Sequence, residues 1–333
     1  MSKSSANHVR FLTPEEMPLW DELVKASVQG SVFCYSWWLQ ATCGEPKVLG
    51  LFKGDRLEAG IPVFIKKRWF ITACLMPKLT QTWGVIMAPM PGKKVTRASR
   101  QTAICQAFAR KLRRYPIFQQ TFSPRFQTWL PFYWQGYKEK GGVTYVLDDL
   151  TDPERILADM HQNTRNLIKK AQNQNIQVAP CGIDDLLEMS RKSFERQGDQ
   201  LHYPEKILRA IHEQACAREA GACFAARDQD GRMHGAAFLV WDHHRAYYLV
   251  GGGDPGLRSS GASSLLLWHM ILFAAQRSQV FDFEGSMVPG IEHSFRSFGA
   301  RQEHLHLIYR LPLLAEFAYL AKERLIRRKR EEG

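Results

Sequence analysis

No CxxC pair, HExxH helix, Cys/His zinc spacing, Walker phosphate loop or GxSxG elbow occurs anywhere in the 333 residues. Thiol-redox, zinc-hydrolase, P-loop and serine-hydrolase chemistry therefore lack their minimum parts, and no metal is expected. The seven cysteines, at 34, 43, 74, 105, 181, 216 and 223, are odd in number and unpatterned. That fits reduced thiols better than a disulfide framework. Residues 1–12 hold no apolar run of the kind a secretory leader needs. The longest apolar stretch, ASSLLLWHMILFAA at 262–275, falls short of the roughly 18 residues of a membrane-spanning helix. It reads as a buried core helix, and the expectation is a cytoplasmic protein.

What is present suffices for a folded chain. Hydrophobic residues make up 45% and aromatics 11%, enough to fill real cores at a length that suits two units of ordinary size. Basic residues outnumber acidic ones 45 to 33, a formal charge of +12. Such an excess favours anionic partners: a phosphorylated donor, nucleic acid or a lipid surface.

Local signals divide the chain. Thr13, Pro14 and Glu16 mark a helix start, SVFCYSWWLQAT reads as a second, aromatic-rich helix, and two strands flank the Gly54-Asp55 turn. Residues 97–115 form an amphipathic helix whose basic face carries Arg110, Lys111, Arg113 and Arg114. Asp152-Pro153-Glu154 opens a single helix that runs to about 174, with Ile156, Met160, Thr164, Ile168 and Ala171 at helical spacing. Helices at about 184–197 and 204–219 follow, then three strands, a helix at 261–276, and the strands VFDFEG and HLHLIYRL. Each half runs helix, helix, strands, helix, strand. The expected fold class is α/β (α+β), two mixed-sheet units spanning 1–150 and 151–310. An amphipathic helix over 311–333, with Arg327, Arg328, Lys329 and Arg330, closes the chain.

Three constellations carry chemistry. In VFDFEG, strand alternation places Val280, Asp282 and Glu284 on one face and Phe281 and Phe283 on the other. A buried charge needs a cation or a polar cleft. The carboxylates therefore either border a site or brace it by pairing with Arg296 or Arg165. At 251–264 a strand runs through glycines into a helix start, where backbone N–H groups and the helix dipole suit an anion. Arg258, Ser259, Ser260, Ser263 and Ser264 add donors there. On the helix after residue 154, Arg165 and Lys169 lie one turn apart. A flexible loop and a solvated helix face are the plainer readings of the last two.

Together, these residues resemble the Fem-like branch of the GNAT (Gcn5-related N-acetyltransferase) superfamily. The likeness rests on Thr164-Arg165-Asn166-Leu167-Ile168-Lys169-Lys170-Ala171, the glycine-rich turn, Phe281-Asp282-Phe283-Glu284-Gly285-Ser286 and Phe295-Arg296-Ser297-Phe298-Gly299. Earlier in the chain it includes Ser36-Trp37-Trp38, Ala59-Gly60-Ile61-Pro62, Gln81-Thr82-Trp83-Gly84 and Pro131-Phe132-Tyr133-Trp134-Gln135-Gly136. The resemblance implies two GNAT-like units packed together and a donor loop on Arg258-Ser259-Ser260-Gly261-Ala262-Ser263. Ser263 stands where that loop carries Gly or Ala. The Phe-Lys pair of the Fem transferases falls on Phe295-Arg296, where arginine suits anion or oxyanion stabilisation better than proton donation. The long helical hairpin that some Fem enzymes use with transfer RNA is not apparent.

The expected activity is transfer of an acyl group, with acyl-coenzyme A as donor substrate, to an amine of a sugar, sugar nucleotide or cell-envelope precursor. Glu284 is the expected base, with Asp282 and Arg296 beside it. Arg258, Ser260, Gly261, Ala262 and Ser263 would hold the donor, and Arg165, Lys169, Phe295, Trp83 and Tyr133 the acceptor. Two other readings stand beside this one: an aminoacyl-tRNA donor, and a non-catalytic scaffold that meets an anionic membrane through 311–330.

Overall fold

The computed structural model describes residues 7–68, 71–196, 198–285, 289–313 and 315–316. The chain begins with β1 (Asn7–Phe11), α1 (Met17–Ala26) and α2 (Ser36–Cys43), then runs through β2 (Val48–Lys53), β3 (Arg56–Pro62), β4 (Phe64–Arg68), β5 (Ile71–Leu75) and β6 (Ile86–Met87). After α3 (Lys94–Leu112) come β7 (Ile117–Phe122), the short α4 (Leu130–Tyr133) and β8 (Lys138–Leu147). The start of α1 has its sequence signature: the Thr13 backbone N–H donates to Glu16 at 2.9 Å, and Glu16 also takes Arg10 at 2.6 Å. α3 buries Ile104, Cys105, Phe108, Ala109 and Leu112, one stripe at helical spacing.

Beyond residue 150 the structure departs from the single long helix expected there. Two helices, α5 (Pro153–Asp159) and α6 (Gln162–Asn173), meet at Met160 and His161, whose backbones are extended (ψ 145° and 140°). The His161 N–H is drawn to Ser297 O at 2.9 Å and its ring caps the Asn163 N–H at 3.2 Å. The break is a tertiary contact, with no proline or glycine to announce it. Then follow β9 (Gln177–Pro180), α7 (Ile183–Arg196), α8 (Glu205–Cys216), β10 (Gly221–Arg227), β11 (Met233–Trp241), β12 (Arg245–Gly253), α9 (Ala262–Ala275), β13 (Val280–Asp282), α10 (Pro289–Arg296) and β14 (Arg301–Arg310). The basic helix expected over 311–333 lies almost wholly outside the described residues. Among those described, no helix is long and apolar enough to cross a membrane.

The strands form two sheets. The smaller has the order β1-β2-β3-β6, and the larger runs β4-β5-β7-β14-β8-β13-β12-β11-β10-β9. The last strand, β14, lies between β7 and β8, antiparallel to both. β8 in turn pairs with β13, so the large sheet is continuous from one half of the sequence to the other. The core is shared too. One buried cluster joins Trp20, Phe33 and Trp38 to Leu186, Phe238 and Tyr247. Each such side chain taken fully out of water contributes about 1.5–3 kcal/mol. The tryptophans satisfy their indole N–H groups as they do so: Trp20 on Cys34 O at 2.7 Å, and Trp83 on Phe33 O at 2.9 Å.

Candidate active site

The site begins where two strands part. β12 and β13 run parallel only from Arg245↔Val280 to Tyr247↔Asp282. From there the chain after β13 follows β8 instead: the Phe283 N–H donates to Tyr145 O and the Gly285 N–H to Thr144 Oγ1, both at 2.9 Å. β12 turns the other way. Its ladder with β11 shifts register between Phe238 and Leu239, a bulge that sets Leu249 aside and twists the strand. A wedge therefore opens between residues 248–253 and 283–285. Two glycines keep β12 close to its neighbours at this point. A Cβ on Gly251 would lie 1.8 Å from the Tyr248 hydroxyl, and one on Gly252 would lie 2.3 Å from Met189 O of α7. The glycine run is thus strand packed against helix, where a flexible loop was the plainer reading of the sequence.

The two carboxylates at the wedge have different surroundings. Asp282 is fully buried and fully bonded. Its Oδ1 accepts from Thr144 Oγ1, from the Glu284 N–H at 2.8 Å and from Gln81 Nε2 at 3.2 Å. Its Oδ2 accepts from Arg245 Nη1 at 2.8 Å. Arg245 also meets Glu303 at 2.8 Å, and Glu303 meets Arg301 at 3.2 Å. Burial alone would lower the Arg245 pKa, but Tyr247, Asp282 and Glu303 around it carry the net shift upward. The predicted partners Arg296 and Arg165 are not the ones Asp282 has: Arg245 takes that place. This satisfied ion pair is a brace between β12, β13, β14 and the 81–84 loop.

Glu284 stands two residues on, and its backbone is left-handed at φ 51°, an uncommon state for a residue with a Cβ that costs about 1–3 kcal/mol. That conformation ends the alternation on which the shared face of Asp282 and Glu284 was predicted. The residue is half-buried, yet its Oε1 is out of contact with solvent and has no hydrogen-bond partner among the described residues. Burial, and then the adjacent Asp282 charge, push its carboxyl well above the usual carboxylate range. Gly285 follows because nothing larger fits: a Cβ there would lie 2.2 Å from Val143 O.

Around this point the structure places the other expected residues variously. Phe295 is buried against Phe283, with ring centroids 5.1 Å apart, and faces Tyr248 at 6.2 Å. Arg296 is exposed and bound to Glu292 at 2.8 Å, and Glu292 also takes the Tyr145 hydroxyl at 2.8 Å. Arg165 is spent on the end of α5, donating to Ala158 O at 2.6 Å and to Gln162 at 2.5 Å. Lys169 is exposed, Trp83 is only 1% exposed within the core, and Tyr133 stands 59% exposed on α4. Core packing removes Trp83 from the reach of a substrate.

The donor loop is a turn of 3₁₀ helix over 255–260, followed by Gly261 at φ 82° and then α9. Gly261 is confined by α6, since a Cβ would lie 2.2 Å from Leu167 O. Arg258, Ser259 and Ser263 are exposed at this helix start, and Ala262 is buried beneath it. Ser260 is instead buried and tied down: its Oγ meets His234 Nδ1 at 2.9 Å, and His234 Nε2 meets Asp228 at 3.1 Å. The partner at His234 holds the Asp228 carboxyl down to about 2. Sequence reasoning missed Arg245, Thr144, Glu303 and His234. Each makes its contact across more than 25 residues or from a separate strand, and none sits in a local pattern.

Comparison with known proteins agrees with this geometry. Residues 158–292 match the family of acetyltransferase (GNAT) domains. The whole fold is similar to the crystal structure of FemX, at 13% identity and a TM-score of 0.67 over 90% of this chain and 96% of that one. It is also similar to L-PGS from Bacillus licheniformis (11% identity, TM-score 0.54, covering 93% and 96%). A tandem GNAT protein from the clavulanic acid biosynthesis pathway aligns at 12% identity and a TM-score of 0.52, over 91% and 98%. Comparison with curated protein sequences finds no match. The splayed sheet and the loop before α9 lie within the region that matches the acetyltransferase (GNAT) domain. From end to end the fold is like that of FemX and of the tandem GNAT protein.

Proposed function

We propose that this protein transfers an acyl group from acyl-coenzyme A to an amine of a sugar, sugar nucleotide or cell-envelope precursor, with Glu284 as general base. The observation that carries this reading is the buried Oε1 of Glu284, which has no hydrogen-bond partner among the described residues. An attacking amine must shed a proton, and a carboxylate of raised basicity is suited to take it near neutral pH. The nitrogen attacks the acyl carbonyl, Glu284 removes the proton, and the tetrahedral adduct collapses with departure of the thiolate. Backbone groups set free at the Leu249 bulge face the developing oxyanion in this scheme. Arg258 and the N–H groups at the start of α9 meet the anionic portion of the donor.

An aminoacyl ester presents the same kind of electrophile as a thioester, so aminoacyl-tRNA is the second donor to test. The experiment is a transfer assay with each donor against amino sugars and amino-sugar nucleotides, run on the parent and on Glu284→Gln. Turnover with acyl-coenzyme A that the Gln substitution abolishes supports the reading. Turnover with aminoacyl-tRNA alone transfers it to the second donor. A Gln variant as active as the parent removes Glu284 as base, and no turnover with either donor favours a scaffold.

A further inference from the structure

The positive charge of this protein is not spread over it. Between Glu58 and Glu139 there are fourteen lysines and arginines and no aspartate or glutamate, leaving 31 basic against 33 acidic residues in the rest of the chain. The entire excess of +12 therefore resides in this one acid-free segment. The end of α3 and the two residues after it carry Arg110, Lys111, Arg113 and Arg114, all exposed. Among the described residues, none of the four pairs with a carboxylate. Beside them lies α4, tied to α3 by residues that flank it: Thr128, whose Oγ1 donates to Gln101 at 3.5 Å, and Tyr137, whose hydroxyl donates to Ala109 O at 3.0 Å. Arg310 completes the join, stacking over the Tyr137 ring at 5.6 Å and donating to Arg113 O at 2.5 Å.

On its outer side α4 shows the opposite of what a solvated turn would carry. Leu130, Tyr133 and Trp134 are 52%, 59% and 56% exposed, while Phe132 between them is buried. We propose that the α3–α4 face docks on an anionic lipid bilayer, with Leu130, Tyr133 and Trp134 entering the headgroup boundary and the Arg110–Arg114 cluster meeting the lipid phosphates. Charge complementarity names the partner's sign, and each basic residue near such a surface adds to the attraction. The side-chain chemistry names its kind. Trp and Tyr prefer the boundary between headgroup and acyl chain, whereas an exposed aliphatic Leu130 offers a nucleic-acid base no ring to stack on. The surface is distinct from the wedge, and the inference stands whether or not Glu284 is the base.

The test is flotation of the full chain with phosphatidylcholine vesicles, with and without phosphatidylglycerol. Binding is expected only when the anionic lipid is present. Replacing Arg110, Lys111, Arg113 and Arg114 together by Gln is expected to weaken partition roughly tenfold or more. The pair Leu130→Ser and Trp134→Ser is expected to lower it about as far. All these side chains are exposed, and unchanged thermal melting checks that the variants fold. A separate readout is quenching of tryptophan fluorescence by lipids brominated in the acyl chain, expected in the parent and diminished in Trp134→Phe. Failure to float, or flotation undiminished in both variants, overturns the proposal. So does a basic-cluster variant that keeps its vesicle partition while losing affinity for bulk tRNA.

Discussion

The two ends of the β12–β13 junction lie next to each other and are built on opposite rules. At the closed end, residues 245–247 and 280–282, opposite charges meet: Asp282 has four donors, and Arg245 lies within ion-pair distance of two carboxylates. At the open end, residues 248–253 and 283–285, the sheet is interrupted, Glu284 is held left-handed and its Oε1 has no hydrogen-bond partner among the described residues. The closed end fixes the angle at which the strands part. The open end keeps an unsatisfied group in place, which a fold tolerates only when its surroundings over-determine it.

The sharpest way to break this contrast is Glu284→Gln. If the open end is the chemical one, the substitution should lower kcat by about 10²–10⁴-fold, the usual worth of a positioned general base, with circular dichroism unchanged. The parent's kcat/KM should rise with pH through an inflection above the ordinary glutamate range, because burial and Asp282 raise that pKa and only the deprotonated form accepts a proton. The variant should lose the inflection.

At the closed end the largest effect should be on stability. Asp282→Ala leaves a buried Arg245 with Glu303 as its remaining partner, and should cost about 3 kcal/mol in urea denaturation. Residual activity in whatever remains folded would separate this brace from the base. Glu284→Gln should act in the reverse sense on stability. The Glu284 pKa is raised in the folded state, so the neutral form is favoured by folding and the stability it lends is lost as pH rises above the unfolded value of about 4.3. The Gln variant should therefore melt higher than the parent at neutral pH, and the difference should close on acidification.

A smaller effect sharpens the geometry of the parting strands. Gly251→Ala sets a methyl group against the Tyr248 hydroxyl and should cost roughly 1–3 kcal/mol by overpacking. Tyr248→Phe in the same chain should recover part of that loss, since it removes the nearest of the clashing atoms and leaves the ring carbon at 2.6 Å. The smallest change expected is at Arg258→Ala, where an exposed cation at the donor loop should raise the KM for acyl-coenzyme A a few-fold and leave kcat near the parent's. An unchanged KM would detach Arg258 from the donor.

How much of this was legible along the chain depends on the range of the interaction. The amphipathic stripe of α3, the capped start of α1 and the apolar run of α9 were readable because helix formation and burial repeat every few residues. So was the meeting of Gly261 with a helix start. The break at Met160 and His161 was not, because the pull on it comes from Ser297. Nor was the fate of Arg165, given a binding role with the resemblance and found capping α5.

By itself, the sequence determined the mixed α/β class, the acid-free basic segment, the carboxylate pair at 282 and 284 and the glycine-marked entry to α9. All of these are properties of neighbours along the chain, or of composition. Only the tertiary structure decided that β14 inserts between β7 and β8, that Arg245 and not Arg296 answers Asp282, and that Glu284 is the carboxylate left over. The physical reason is that pairing and desolvation are set by which groups the sheet brings within about 3 Å of one another. In this fold those groups come from segments 37 to 201 residues apart.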